Sequence, residues 1–227
     1  MERLANQYIV QAWLVILLAF FFGISLAGVQ LTLSPKIEAN KINETRQKVP
    51  ELILGAEGAA ALADSGQTLD IESRLIDVKK NGKNTLYRVF EARDKGNSAG
   101  WVVKSKGQGY ADKIELLIGF NPEMENISGL FILDQKETPG LGNKITGIKW
   151  RRQFFGKALN RSLVAVKAGA KASNEIDAIT GATISSRSVC TIINNTVSDL
   201  KDPLSTAASQ TIKGSKPLTE DLENKNG

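Results

Sequence analysis

The chain has 227 residues, 42% of them hydrophobic, with a formal net charge of +5 and no histidine. That length accommodates one domain of about 150 residues with its own core plus appendages, and leaves two full domains crowded. With no histidine and a single cysteine, Cys190, the sequence excludes His-ligated haem, histidine-based triads, zinc sites with the usual ligands and any intrachain disulfide.

Lys and Arg are scattered among Asp and Glu, without an Arg-rich run or interleaved stacking aromatics. The positive balance therefore reads as solvated surface, and no nucleic acid partner is expected. Cys190 lies in an apolar helical pattern and reads as a small buried thiol.

Residues 9–31 run IVQAWLVILLAFFFGISLAGVQL, with Gln11, Ser25 and Gln30 as the only strongly polar members. A helix of that length spans about 34 Å, enough for a bilayer core of about 30 Å. The run exceeds the apolar region of a cleaved signal peptide, so a retained membrane anchor over residues 1–35 is expected. Arg3 precedes the span, while Lys36, Lys41, Arg46 and Lys48 follow it. That charge bias does not support an outward domain, although large domains translocate largely regardless of charge.

Residues 36–65 read as a stalk and helical lead-in: a charged segment over 36–48 ended by Pro50, then an Ala- and Leu-rich helix over 51–63. A single α+β domain is expected over 66–200. Its β-rich runs at 69–78, 85–93, 100–104, 114–120 and 127–133, separated by Asn-Gly, Gly-Asn and Asn-Pro turn signals, predict a mostly antiparallel sheet. A helix is expected over 143–159, with Ile145, Ile148, Phe155 and Leu159 near one face, followed by a short strand over 163–167. A further helix over 186–200 puts Val189, Ile192, Ile193, Val197 and Leu200 on one stripe. Residues 201–227 are polar without periodicity and read as a flexible tail.

The most informative segment is Asp177-Ala-Ile-Thr-Gly-Ala-Thr-Ile-Ser-Ser186, directly ahead of that helix. A Gly-Ala step lets backbone approach a bulky group closely, and the helix that follows aims free N–H groups and a positive dipole end back at the loop. An anion is stabilised there, and Thr180 and Thr183 flank the step with hydroxyls. Taken alone, the tetrapeptide 180–183 also fits a simple helix N-cap. A Walker-type phosphate loop is excluded, because no Gly-Lys-Ser/Thr follows.

Glu137-Thr-Pro-Gly-Leu-Gly142 follows the strand expected over 127–133. Proline and two glycines fix a sharp loop whose backbone can lie against a planar ring, although the same residues make an ordinary strand-to-helix turn. Gly107-Gln-Gly-Tyr110 is a weaker third element, with Tyr110 expected in the core or on the sheet surface.

Together, the apolar span, Gly-x-Gly-Tyr, Glu-Thr-Pro-Gly-Leu-Gly and Asp-x-x-Thr-Gly-Ala-Thr occur in an order that resembles the G subunits of Rnf electron-transport complexes. These are relatives of the C subunit of sodium-translocating NADH:quinone oxidoreductase. The resemblance covers the anchor to about Leu200 and leaves out the tail. It implies FMN attached covalently through its phosphate to Thr183, with Asp177, Thr180, Gly181 and Ala182 read by a flavin transferase. Glu137, Thr138, Gly140, Leu141 and Gly142 match the loop that lines the flavin. Thr180 stands where serine is commoner in that family, and Gln135 where histidine is frequent.

The resemblance further implies an extracytoplasmic domain in the cytoplasmic membrane, partner membrane subunits, and a role in passing electrons between ferredoxin and NAD coupled to ion movement. No independent catalytic residues and no metal site are expected. A threonine hydroxyl is a poor nucleophile without a neighbouring base, so attachment calls for a separate transferase. Two rival readings remain at this level: a solitary membrane-anchored flavoprotein reductase, and a scaffold module without cofactor.

Overall fold

The computed structural model describes residues 2–80 and 83–210. The chain forms two compact units, Met1–Arg46 and Gln47–Gly227. Helix α1, Glu2–Asp64, contributes to both.

In the first unit, Trp13, Leu17, Phe20, Phe21, Phe22, Ile24 and Leu26 all stand more than half exposed, so the helix is apolar all round with no protein face to bury against. That pattern suits a lipid surrounding. One helix among the described residues is long and apolar enough to cross a membrane. Toward the end of its apolar run Thr32 Oγ1 and Ser34 Oγ donate to the carbonyls of Gly28 and Gln30, both at 2.7 Å, which satisfies the two hydroxyls within the helix itself.

The expected break at Pro50 does not occur. A proline costs a helix one hydrogen bond, and here Val49, Leu52 and Ile53 are buried on either side of it and hold the turns in place. The interruption falls instead at Gly55, in the left-handed region at φ 75°. A helix ending there leaves upstream carbonyls without helical donors, and one of them, Leu52 O, accepts from Ser128 Oγ at 2.7 Å.

The second unit is built on a five-stranded antiparallel meander in the order β1-β2-β3-β4-β5: Asp70–Lys80, Lys83–Asp94, Asn97–Gln108, Lys113–Phe120 and Ile127–Asp134. Each strand overlaps a run expected from alternation, because period-2 patterning feeds two different cores. On one face Phe90, Ala92, Val102 and Leu117 pack against Val49, Leu52 and Ile53 of α1. On the other, Val89, Trp101, Val103, Ile118 and Phe120 join Val189, Ile192, Ile193 and Leu200 of the last helix. The α1 contact needs a paired gap in the sheet: Gly119 and Gly129 sit opposite each other in the register, and a Cβ on either would come within 2.4 Å and 2.8 Å of Leu52 O.

The expected helix over 143–159 is instead a chain of single turns: a 3-10 turn at Gly142–Thr146, α2 at Ile148–Arg151, and a second 3-10 turn at Arg152–Phe154. Gly147 is extended, at φ −66° and ψ 130°, and divides them. The expected apolar face survives only in part: Ile145 is buried and Leu159 packs against the core. Ile148 and Phe155 are exposed, while Trp150 and Phe154 are buried edge-to-face with centroids 5.1 Å apart. This segment covers the outer edge of β5, where Arg151 Nη1 donates to Leu130 O and the amides of Gly156 and Ile127 pair with Ile127 O and Lys157 O.

Two short strands, β6 Val164–Val166 and β7 Glu175–Asp177, form a separate parallel pair. Helix α3, Thr183–Gln210, closes the unit. Residues 201–210 are therefore helical and do not belong to the expected polar tail. Leu204 is 1% exposed and ties the final turns to the core, an anchor too isolated in the sequence to show as periodicity. Residues 211–227 lie outside the described residues.

Candidate functional site

The three segments singled out in the sequence converge at one end of the sheet, and a buried carboxylate joins them. Glu137, 4% exposed, follows β5. Its Oε1 accepts the Ala111 amide at 3.1 Å, in the β3–β4 turn, and its Oε2 accepts Ser185 Oγ at 2.5 Å, in the first turn of α3. Gln135 Oε1 accepts the Glu137 amide at 2.7 Å, so the residue standing where histidine is frequent serves here as a backbone brace.

The glycines around this carboxylate have steric reasons. A Cβ on Gly109 would lie 2.3 Å from Glu137 Oε1, and one on Gly142 would lie 2.8 Å from Glu137 Cβ and 3.0 Å from Ser185 Oγ. Gly107 performs the same service for α3, since a Cβ there would meet Ile192 Cγ1 at 2.5 Å. The weakest motif of the sequence thus clears space for the other two. Tyr110, expected in the core or on the sheet surface, stands 63% exposed at the β3–β4 turn.

In the 137–142 loop, Thr138, Gly140 and Leu141 are exposed while Glu137 and Gly142 are buried. Thr138 O accepts the amides of Leu141 and Asn143, which closes the turn, and Gly140 takes the positive φ of 74° that this turn requires. The loop touches the 177–186 segment directly, because a Cβ on Gly181 would be 2.9 Å from Leu141 Cδ2. Gly181 also has φ 80°. Just beyond the loop, Asn143 Oδ1 is buried with no hydrogen-bond partner.

Asp177 does not face this surface through its carboxylate. It ends β7, its Oδ1 accepts the Ala170 amide at 2.8 Å, and its backbone is clasped by Gln153 and Trp150. Its visible role is to fix where the following loop begins. That loop returns through Ala182 N to Ile179 O at 2.9 Å, and α3 starts at Thr183. Trp150 and Gln153, from the segment expected as one helix, are not legible as site residues in the sequence, because their contact with Asp177 is between loops distant along the chain.

The hydroxyls of the 177–186 segment differ in availability. Ser185 is committed to Glu137, and Ser186 Oγ donates to Ala182 O while accepting the Ile179 amide. Both side chains are buried, at 2% and 0% exposed. Thr180 is exposed and Thr183 half-buried, and among the described residues neither hydroxyl has a hydrogen-bond partner. Thr183, Ile184 and Ser185 form the first helical turn, whose N–H groups have no intrahelical acceptor.

This arrangement fits the phosphate end of a flavin. Free amides, a positive dipole end and an unpartnered hydroxyl share one turn, and Leu141 beside Gly181 and Ile184 in the turn itself expose apolar surface. A separate cleft of about 480 Å³, between α1 and the β5–α2 region, is lined by Leu52, Phe131, Arg151 and Phe155 and contains none of these residues.

Comparison with known proteins agrees. The FMN-binding domain family model matches residues 109–198, which takes in the three converging segments from Gly109 onward. The G subunit of the Na(+)-translocating ferredoxin:NAD(+) oxidoreductase complex of Acetobacterium woodii is 36% identical over 130 residues, 56% of this chain and 62% of that protein. The corresponding protein of the proton-translocating complex of Clostridium ljungdahlii is 38% identical over 112 residues, 49% of this chain and 57% of that one. The chain therefore spans little more than half the length of these relatives in alignment. In fold it is similar to two crystal structures, NqrC from Shewanella oneidensis and the C subunit of the Na(+)-translocating NADH-quinone reductase from Parabacteroides distasonis. Their TM-scores are 0.60 and 0.56 at 20% and 22% identity, covering 74% and 79% of this chain and 99% and 96% of those chains. Residues 109–198 thus match the FMN-binding domain family, and over about half its length the chain is similar to G subunits of ion-translocating oxidoreductase complexes.

Proposed function

We propose that this chain is a membrane-anchored electron-carrier subunit of an ion-translocating ferredoxin:NAD oxidoreductase complex, holding FMN in phosphoester linkage to Thr183. The observation that carries this reading is the sorting of hydroxyls in the attachment segment. Ser185 and Ser186 are buried and engaged, whereas Thr183 sits unpartnered on the turn that presents free amides and the helix dipole. Thr180 shares the freedom but lies outside the helix, where the dipole is not focused.

In the attachment step the Thr183 Oγ1–phosphorus bond forms on the FMN phosphate of FAD as the pyrophosphate bond breaks. AMP leaves, and the hydroxyl proton passes to a base of the transferase. No histidine exists in the chain to take it, so a separate flavin transferase is the maturation partner. Asp177 and the 180–182 backbone present the segment to that enzyme.

A phosphate tether leaves the redox-active ring free and replaces bimolecular affinity by high effective concentration, so retention no longer depends on noncovalent contacts. Leu141, Thr138 and Gly140 offer the exposed loop surface against which a ring can lie. The flavin supplies the electron chemistry, and the chain needs no catalytic acid or base of its own. The α1 apolar segment anchors the unit in the cytoplasmic membrane with the flavin domain on the extracytoplasmic side, and other subunits provide the ion path.

The test is denaturing-gel fluorescence of the full chain matured with transferase and FAD. Wild type gives flavin emission that migrates with the polypeptide, Thr183→Val is dark, and Thr180→Val stays bright. Emission lost only on changing Thr180 would assign the ester to the other hydroxyl.

A further inference from the structure

Ser185 belongs to none of the roles above, yet it makes a very short contact at the site. Its Oγ donates to Glu137 Oε2 at 2.5 Å, and both residues are almost fully buried. The carboxylate is held from every side: Ala111 N on the other oxygen, Gln135 on its own amide, and Gly109 and Gly142 in van der Waals contact where any side chain would collide. It cannot swing to follow Ser185, so Ser185 must come to it.

Helix geometry turns that constraint into an orientation. Residues advance by about 100° along an α-helix, so Ser185 and Thr183 point in directions about 160° apart. Fixing the hydroxyl of 185 inward fixes that of 183 outward. The same bond engages the serine hydroxyl nearest to Thr183 in sequence. We propose that Glu137 and Ser185 form a positioning latch that sets the first turn of α3 against the 137–142 loop and thereby presents Thr183, rather than the serine hydroxyl of the same turn, for flavin attachment. Ser185 is thus a positioning residue acting through Glu137 and the helix turn, and the proposal rests on attachment at Thr183.

The experiment uses the full chain in detergent with transferase and FAD, following the rate of in-gel flavin emission and then the emission anisotropy of the fully loaded protein. Ser185→Ala is expected to load about tenfold more slowly, the factor corresponding to loss of one hydrogen bond to a charged group. Its attached flavin should be less ordered, giving lower anisotropy, while the thermal transition of the domain persists. Glu137→Gln keeps an acceptor oxygen and should slow loading about threefold, a hydrogen bond to a neutral acceptor being weaker than one to a carboxylate.

Ser185→Ala loading at the wild-type rate with wild-type anisotropy would overturn the latch. If that variant fails to fold, Glu137→Gln decides, and wild-type behaviour there overturns it equally. A dark Thr183→Val beside a normal Ser185→Ala sinks the latch and leaves attachment standing, whereas a dark wild type sinks both.

Discussion

The second unit buries two carboxylates near opposite ends of β3, and they are satisfied in opposite ways. Glu91, 2% exposed and paired in register with Trp101, accepts from Arg74 at 2.5 Å and Arg93 at 3.0 Å. That proximity raises the pKa of Arg93, chiefly through its hydrogen bond to Glu91. Glu137, beyond Gly109 at the other end, has no cation partner among the described residues, only a serine hydroxyl and a backbone amide. A buried charge matched by opposite charges is common structural practice, whereas one held by neutral donors is expensive to desolvate. The difference teaches where this fold places its constraints: Glu91 fastens strands to one another, and Glu137 fastens the three segments on which the proposed flavin site depends.

The largest expected effect that would break this contrast is Glu91→Ala. It removes the carboxylate that Arg74 and Arg93 share, leaving Arg93 only Glu72, and should cost about 3 kcal/mol of stability, read by urea unfolding, while the folded fraction still accepts flavin. Impaired attachment at full stability would mean that the two ends are not separate in role.

Next is Gly109→Ala, which pushes a methyl toward the Glu137 carboxylate. About 2 kcal/mol of overpacking is expected, with a loss of flavin loading in gel fluorescence that exceeds the loss of folded protein. Equal losses would reduce Glu137 to a stability element like Glu91.

Ser128→Ala sharpens the comparison from outside both regions. It removes the hydroxyl on Leu52 O where α1 is interrupted at Gly55, and about 1 kcal/mol should be lost with no change in loading.

The smallest effect concerns Cys190, whose thiol burial pushes up to about 12 from an ordinary value of 9.0. The unfolded chain loses that proton first, so the contribution is fully present below about pH 9 and is lost as pH rises toward 12. Thermal melts over that range should show the decline, reduced in Cys190→Ala.

Much of this is legible in the sequence because the signals are local. The five strands announce themselves by alternation, and the 177–186 and 137–142 segments by residue types that few other contexts combine. What stays hidden depends on partners far along the chain. The pattern over 143–159 counts as helical until Gly147 adopts an extended conformation and hands burial to Trp150 and Phe154. Pro50 looks like a terminator because nothing in its neighbourhood discloses the glycine pair 119 and 129 that receives α1. Glu137 reads as part of a ring-facing loop, and only its contacts with residues 26 and 48 positions away turn it inward. The short strand expected over 163–167 is β6, but its three-residue partner β7 lies among polar residues and shows no pattern of its own in the sequence.

The central claim is a covalent bond between Thr183 and the phosphate of FMN, and the mass of the intact chain isolated from its native membrane tests it most directly. The account predicts the polypeptide mass plus one FMN less one water, with the addition carried by the peptide that contains Thr183. A chain weighing no more than its amino acids, in cells that contain the transferase, would contradict it.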